Sequence, residues 1–248
     1  MAHSADEMMT VAAARELRDG EVCFVGIGLP STAANLARGR HAPGVVLIYE
    51  SGTIGSKPTR LPLSIGDGDL AETADSVVPV PEIFNYWLQG GRIDVGFLGA
   101  AQIDRRGNLN STVIGPYDSP KVRLPGAGGA PEIAALAGRV ITIIRQSPRT
   151  FVGELDFKTS LGADDQVVIT DLGVLRRRGS DPKRSASTRR GGRGSDPLEL
   201  VLTDLHPGVT ADQAREATGW ELAIADDAGA TEPPTEDELS LLRELQAA

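Results

Sequence analysis

Five short runs are apolar along nearly their whole length: Val22 to Val25, Val45 to Tyr49, Ile93 to Leu98, Val140 to Ile144 and Val167 to Thr170. They lack the in-out alternation of a half-exposed strand. Each therefore reads as a strand covered on both faces, and such strands belong to parallel sheets flanked by helices. Helical spacing fills the intervals. Residues 9 to 18 put Val11, Ala14 and Leu17 on one face before Asp19-Gly20 stops the helix, and Ser31 is placed to cap a helix running from Ala34 to Arg38. Pro43-Gly44 then breaks the chain, and Ile83 to Leu88 and Pro131 to Leu136 read as further helices. Thr210 to Gln213 and Thr235 to Glu238 both fit a capping box, and the second opens an acidic terminal helix with Leu239, Leu242 and Leu245 in step. The fold class expected is α/β, with an open, mostly parallel sheet and flanking helices.

A chain of 248 residues with 40% hydrophobic content can bury one large core, and residues 1-248 are read as a single domain. No run approaches the apolar length of a membrane span, and MAHSADEMMT has neither a basic nor an apolar leader region, so a cytoplasmic location is expected. Cys23 is the sole cysteine, and His3, His41 and His206 are scattered, so neither a disulfide nor a metal site is expected. A net charge of -9 argues against nucleic acid or anionic membrane as a partner.

The charge is unevenly placed. Eight of the 25 basic residues (Arg176, Arg177, Arg178, Lys183, Arg184, Arg189, Arg190 and Arg193) fall in one tract, opposed only by Asp181. The tract carries a doubled Gly-Ser-Asp-Pro and no apolar period, so a basic low-complexity loop at about 175-197 is expected. An anion-binding arm is the alternative.

Three segments carry chemistry. Gly26-Ile-Gly28-Leu-Pro30-Ser31 follows a strand and opens a helix, with Glu50 some way on, as in a dinucleotide fingerprint. The match is weak, because Ser31 holds the third glycine position and Pro30 removes an amide. Glu50 stands at the carboxyl end of an apolar strand, followed at once by Ser51-Gly52, where open α/β sheets bind ligands and where a solvated charge is also ordinary. Gly126-Ala-Gly128-Gly129 precedes a helix, an arrangement that points backbone amides at a developing anion or serves as a plain loop.

Taken together, VVLIYESGTIG, LQGGRIDVGFLGAAQIDRRGNLN, KVRLPGAGGAPEIA and LTDLHPGVTADQAREATGW resemble, in order and along most of the chain, the β subunit of the class I CoA-transferases. The first block holds that family's Glu-(Ser/Asn)-Gly motif. The stretch from Gly162 to Pro197 departs from the family pattern and touches none of its motifs. YESG, IGDGDLAETAD and FLGAAQID are most similar to family members acting on 3-oxoadipate, with the glutaconate type next. Steroid-ring hydrolases of the same fold have lost the motif glutamate, which is present here as Glu50.

The resemblance implies a fold of the CoA-transferase type and a reaction that moves CoA from succinyl-CoA to a small dicarboxylic or oxo acid, late in aromatic catabolism. Glu50 is then the catalytic nucleophile, forming a glutamyl-CoA thioester in a ping-pong sequence. Gly128 and Gly129 are the candidate oxyanion and CoA-contacting amides, and Ser51 and Gly52 form the turn presenting the nucleophile. Gln102 and Asn108 are possible substrate-facing groups, with turn hydrogen bonding as the alternative. No cofactor is implied beyond the CoA thioester as substrate. An α subunit is the implied partner, in an α2β2 assembly. A glutaconate-type transferase or a CoA-ester hydrolase is the alternative activity.

Overall fold

The computed structural model describes residues 2–177 and 198–247. In chain order its elements are α1 (Ala5–Arg15), β1 (Val22–Val25), α2 (Leu29–Gly39), β2 (Val46–Tyr49), β3 (Thr53–Ile54), α3 (Gly68–Glu72), β4 (Ser76–Val77), α4 (Val80–Glu82) and β5 (Val95–Leu98). There follow β6 (Gln102–Ile103), β7 (Leu109–Asn110), β8 (Val113–Ile114), β9 (Val122–Arg123), α5 (Ala130–Leu136), β10 (Arg139–Ile143) and β11 (Gln166–Ile169). The last are β12 (Gly173–Arg177), β13 (Leu200–Leu205), α6 (Ala211–Glu216), β14 (Ala223–Ala230) and α7 (Glu236–Ala247). They divide into two compact units.

The first unit comprises Met1–Leu98, Leu136–Ile143 and Glu232–Ala248. Its strands lie in the order β10-β5-β1-β2-β3-β4. β10, β5, β1 and β2 are mutually parallel, and β3 and β4 are added antiparallel at the edge. Cys23, Leu47, Ile48, Tyr49 and Val95 are fully buried, as strands covered on both faces require. Helices α1, α2 and α7 pack against one another. A capping box of Ser4 and Glu7, which the periodicity alone does not mark, starts α1 at Ala5 rather than at residue 9.

At the start of β10 a buried cation joins separated segments. Arg139 donates to the Glu16 carbonyl at 2.8 Å and to the Glu21 carboxylate at 3.1 Å.

The second unit comprises Gly99–Ala135 and Ile144–Thr231. Its strands run β14-β13-β12-β11, with β11–β12 and β12–β13 antiparallel and β13–β14 parallel. Two small antiparallel hairpins, β6–β7 and β8–β9, complete it. The parallel pairing that the apolar runs announce is thus concentrated in the first unit.

Two expectations are corrected, and a third, the helix over Ile83 to Leu88, is borne out with a wider hydrogen-bonding pattern. Ser31 is not a cap: α2 begins at Leu29, because Pro30 is preset for the first helical turn and Gly28, at φ 81°, supplies the sharp entry. Ile83 to Leu88 continues α4 with the wider π-helical hydrogen bonding. The loop expected at about 175-197 does not begin at 175, since Leu175, Arg176 and Arg177 lie in β12, paired with Leu202, Val201 and Leu200. Arg177 donates to the Gly162 and Ala163 carbonyls. Its half-burial lowers the guanidinium pKa from the ordinary value. Residues 178–197, the rest of the tract, lie outside the described residues.

The terminal helix is tied to the first by two carboxylates, Glu7 of α1, which accepts from Arg243 at 2.7 Å, and Glu238 of α7. Glu238 accepts two hydrogen bonds from Arg15, at 2.8 and 2.7 Å, and two from the backbone and hydroxyl of Thr235. Burial alone raises its pKa, but these donors outweigh it and hold the carboxyl at about 2. A carboxyl depressed in the folded state stabilises above its unfolded pKa of about 4.3 and loses that contribution as pH falls toward 2. Glu238→Gln should therefore lower the melting temperature at pH 7, with the gap to wild type closing between about pH 4.5 and pH 2. A gap independent of pH in a melting series would show that the carboxylate charge is not what holds α7.

Candidate active site

β1 and β2 pair in parallel with Val25 opposite Tyr49, so the chain leaves both strands at the same sheet edge, into Gly26 on one side and Glu50 on the other. Glu50 is half-buried. Among the described residues its carboxylate has no hydrogen bond and no ion pair. The turn that presents it is closed by backbone: the Gly52 amide donates to the Tyr49 carbonyl at 3.0 Å, and the Val78 amide to the Gly52 carbonyl at 2.9 Å. Gly52 has φ 106°, and the Val78 carbonyl oxygen fills the space that a Cβ would need. Only glycine fits there. The Ser51 side chain takes no part in closing the turn. Its Oγ is buried without a hydrogen-bond partner, as is Thr53 Oγ1 just beyond.

Behind Glu50 lies a polar contact that periodicity does not reveal. Tyr49 Oη and Ser31 Oγ are 3.0 Å apart, and Asn35 Nδ2 donates to the Ser31 carbonyl at 2.9 Å. All three side chains are buried. Burial raises the Tyr49 phenol pKa, with the Ser31 and Asn35 bonds pulling the other way. The contact fastens the first turn of α2 to the last residue of β2, directly beside Glu50. The one signal in the sequence is a tyrosine ending an otherwise aliphatic run.

In the second unit, the Gly-rich segment is held out from the β8–β9 hairpin. Leu124 and Gly126 donate to the carbonyls of Thr112 and Ser111, and Ser111 Oγ donates to the Gly126 carbonyl. Gly128 is exposed, with φ 48°, and Gly129 is buried. Among the described residues the amides of Gly128 and Gly129 donate to no acceptor, so two backbone donors stand ready in a fixed loop. Gln102 and Asn108 are both buried. Gln102 donates to Asp156 at 2.9 Å and accepts from Asn110 and the Asp156 amide. Asn108 donates to Asp104 at 2.8 Å and accepts from the Gly162 amide. These amides are committed to protein partners, the bonding expected of turn-fixing groups. Among the described residues no cluster of three or more His, Cys, Asp or Glu is arranged to hold a metal, and no helix is long and apolar enough to cross a membrane.

Residues 6–185 match the model of the Coenzyme A transferase family. The β subunit of the 3-oxoadipate CoA-transferase of Pseudomonas knackmussii is 57% identical, over 99% of this chain and 94% of its own length. The β subunit of the glutaconate CoA-transferase of Acidaminococcus fermentans is 31% identical, over 96% of this chain and 90% of its own. The crystal structure of that glutaconate enzyme superposes with a TM-score of 0.83 at 29% identity, covering 98% of this chain and 94% of that one. The decarboxylase AibA/AibB gives the same TM-score at 25% identity, covering 98% and 95%.

The turn separates two kinds of residue by experiment. Gly52→Ala must meet the Val78 carbonyl at a backbone angle that alanine resists, and should cost about 3 kcal/mol or more in urea unfolding. Ser51→Ala removes a buried, unpaired hydroxyl and should leave stability unchanged or raise it. Equal losses from both would mean that the hydroxyl, and not the backbone, closes the turn.

Proposed function

We propose, from the premise that the chain belongs to the Coenzyme A transferase family, that it is the subunit of a 3-oxoadipate CoA-transferase that supplies the nucleophile, Glu50. The observation that carries this reading is the 57% identity, along essentially the whole chain, with the β subunit of a 3-oxoadipate CoA-transferase. The partner it calls for is an α subunit, in an α2β2 assembly, and the substrates are succinyl-CoA and 3-oxoadipate.

Exchanging one thioester for another is nearly thermoneutral, so the reaction requires only a carboxylate able to carry the acyl group and then CoA. A Glu50 oxygen attacks the succinyl-CoA carbonyl, the resulting oxyanion collapses, and the carbon–sulfur bond breaks to leave a mixed anhydride and CoA thiolate. The thiolate then attacks the Glu50 side-chain carbonyl and expels succinate, leaving a glutamyl-CoA thioester. 3-Oxoadipate reverses the two steps, so that 3-oxoadipyl-CoA leaves and the Glu50 carboxylate is restored. Among the described residues the Glu50 carboxylate has no ion pair, which leaves its electron pairs for attack. Amides such as those of Gly128 and Gly129 are the donors assigned to the developing oxyanion, because backbone N–H groups hold their direction while charge forms. Water must be excluded, since the anhydride and the thioester both hydrolyse.

Borohydride added after succinyl-CoA should reduce Glu50 alone in the complex with its partner subunit, and peptide mass mapping reads the site. Glu50→Gln should abolish turnover rather than raise KM, since the nucleophile itself is lost. Label on another residue would falsify the assignment.

Initial rates against both substrates should give parallel lines, as the first acid leaves before the second binds. Thiol release from succinyl-CoA should depend on an added acid and be fastest with 3-oxoadipate, compared with glutaconate and acetoacetate. Equal release with no acceptor would point to a hydrolase. Equal transfer to all three acids would leave the Glu50 chemistry standing and remove the substrate assignment.

A further inference from the structure

We infer that Tyr49 is a positioning residue for Glu50: its phenol, anchored on Ser31, fixes the direction in which β2 delivers the carboxylate to the thioester carbonyl. The inference rests on the reading of Glu50 as the nucleophile. Among the described residues the Glu50 carboxylate has no hydrogen bond or ion pair of its own, so its aim is set by the backbone that carries it. A misplacement of about 1 Å in a reacting group can cost about a hundredfold in rate.

The two flanks of Glu50 are held differently. After it the holds are backbone alone: the Gly52 amide donates to the Tyr49 carbonyl at 3.0 Å and the Val78 amide to the Gly52 carbonyl at 2.9 Å. The hydroxyls of Ser51 and Thr53 are buried without a partner. Before it, Tyr49 is held at three points. It is in register with Val25 of β1, its carbonyl closes the turn, and its Oη lies 3.0 Å from Ser31 Oγ. Of residues 49 to 53, Tyr49 alone has a hydrogen-bonded side chain among the described residues.

Burial of the strand does not call for that hydroxyl. Tyr49 is fully buried at the end of the aliphatic run Val46-Leu47-Ile48, where phenylalanine would fill the same space. The facing turn of α2 is nevertheless built to meet a phenol. Ser31, Thr32 and Asn35 are buried in a helix whose other buried residues are Ala33, Ala34, Leu36 and Ala37. Asn35 Nδ2 donates to the Ser31 carbonyl at 2.9 Å and lies 3.4 Å from Ser31 Oγ. The Thr32 amide and hydroxyl both donate to the Gly28 carbonyl at 3.0 Å. Buried polar groups carry a desolvation cost that apolar side chains avoid, and what they supply is direction.

Tyr49 is enclosed behind the strand end, so it is not a group that touches substrate. Without its oxygen the ring still packs and the β1–β2 register still holds, while the strand end is free to turn. Loss of the phenol therefore acts on rate and not on binding.

The test uses the chain co-expressed with its partner subunit. Tyr49→Phe and Ser31→Ala should each lower kcat for transfer from succinyl-CoA to 3-oxoadipate about tenfold and leave both KM values unchanged. Borohydride-reducible label at Glu50 should form more slowly by the same factor. The double variant should be no slower than either single variant, because the two hydroxyls act as one unit. Cys23→Ala, a cut at a fully buried residue of β1 opposite Leu47, should lower the melting temperature and leave kcat at the wild-type value. A wild-type kcat in Tyr49→Phe would overturn the inference. So would an equal loss in Cys23→Ala, which marks a loosened core, or multiplied losses in the double variant. If Glu50 is labelled at the wild-type rate in both single variants, the positioning role fails and the nucleophile reading stands. If the wild-type complex transfers CoA with no label on Glu50, the nucleophile reading fails and the inference falls with it.

Discussion

The parallel register of β1 against β2 is the constraint on which the setting of Glu50 depends. With Val25 opposite Tyr49, two chain segments leave the sheet side by side, and the Gly26–Gly28 entry to α2 lies beside Glu50. A slip of one residue would turn every side chain of β2 to the other face and take Tyr49 away from Ser31. The Tyr49–Ser31 bond then fastens the strand end to the helix start. A hydroxyl pair excluded from water fixes position more tightly than apolar contact does, since breaking it leaves buried polar atoms unpaired.

The turn beyond β2 is set by backbone and not by side chains. Gly52 closes it at a positive φ, against a carbonyl that tolerates no Cβ. The neighbouring polar side chains gain nothing from it: Ser51 Oγ, Thr53 Oγ1 and Asn35 Oδ1 are all buried and unpaired. Unpaired buried polar atoms cost stability, and two of the three, on Ser51 and Thr53, lie within three residues of Glu50, whose carboxylate has no partner among the described residues.

The second unit solves a different problem, that of making rigid the loops that lie outside its main sheet. Side-chain amides do the fastening, with Gln102 and Asn110 bonded to each other and Gln102 also bonded to Asp156. The Gly-rich segment and the β8–β9 hairpin inherit that rigidity. Free amides hold a useful direction only when the loop carrying them cannot turn.

The sequence by itself determined the α/β class, because runs such as Val22 to Val25 and Val45 to Tyr49 are too apolar to face water on either side. It also determined the positions of Glu50, Gly52 and the Gly128–Gly129 pair, since a charge at the end of an apolar run and clustered glycines are local signals. The capping boxes at Thr210 and Thr235 were legible for the same reason. Tertiary structure alone decided the rest. Ser31, locally a capping residue, is a partner of Tyr49, because Pro30 starts the helix early and turns that hydroxyl inward. Arg176 and Arg177, locally part of a charged tract, are strand residues because β13 pairs with them. Gln102 and Asn108 look free to meet substrate, yet partners 54 residues away, Asp156 and Gly162, engage them. Local patterns report propensity and charge, whereas a hydrogen-bond partner or a strand neighbour is chosen by long-range packing, which no window of sequence contains.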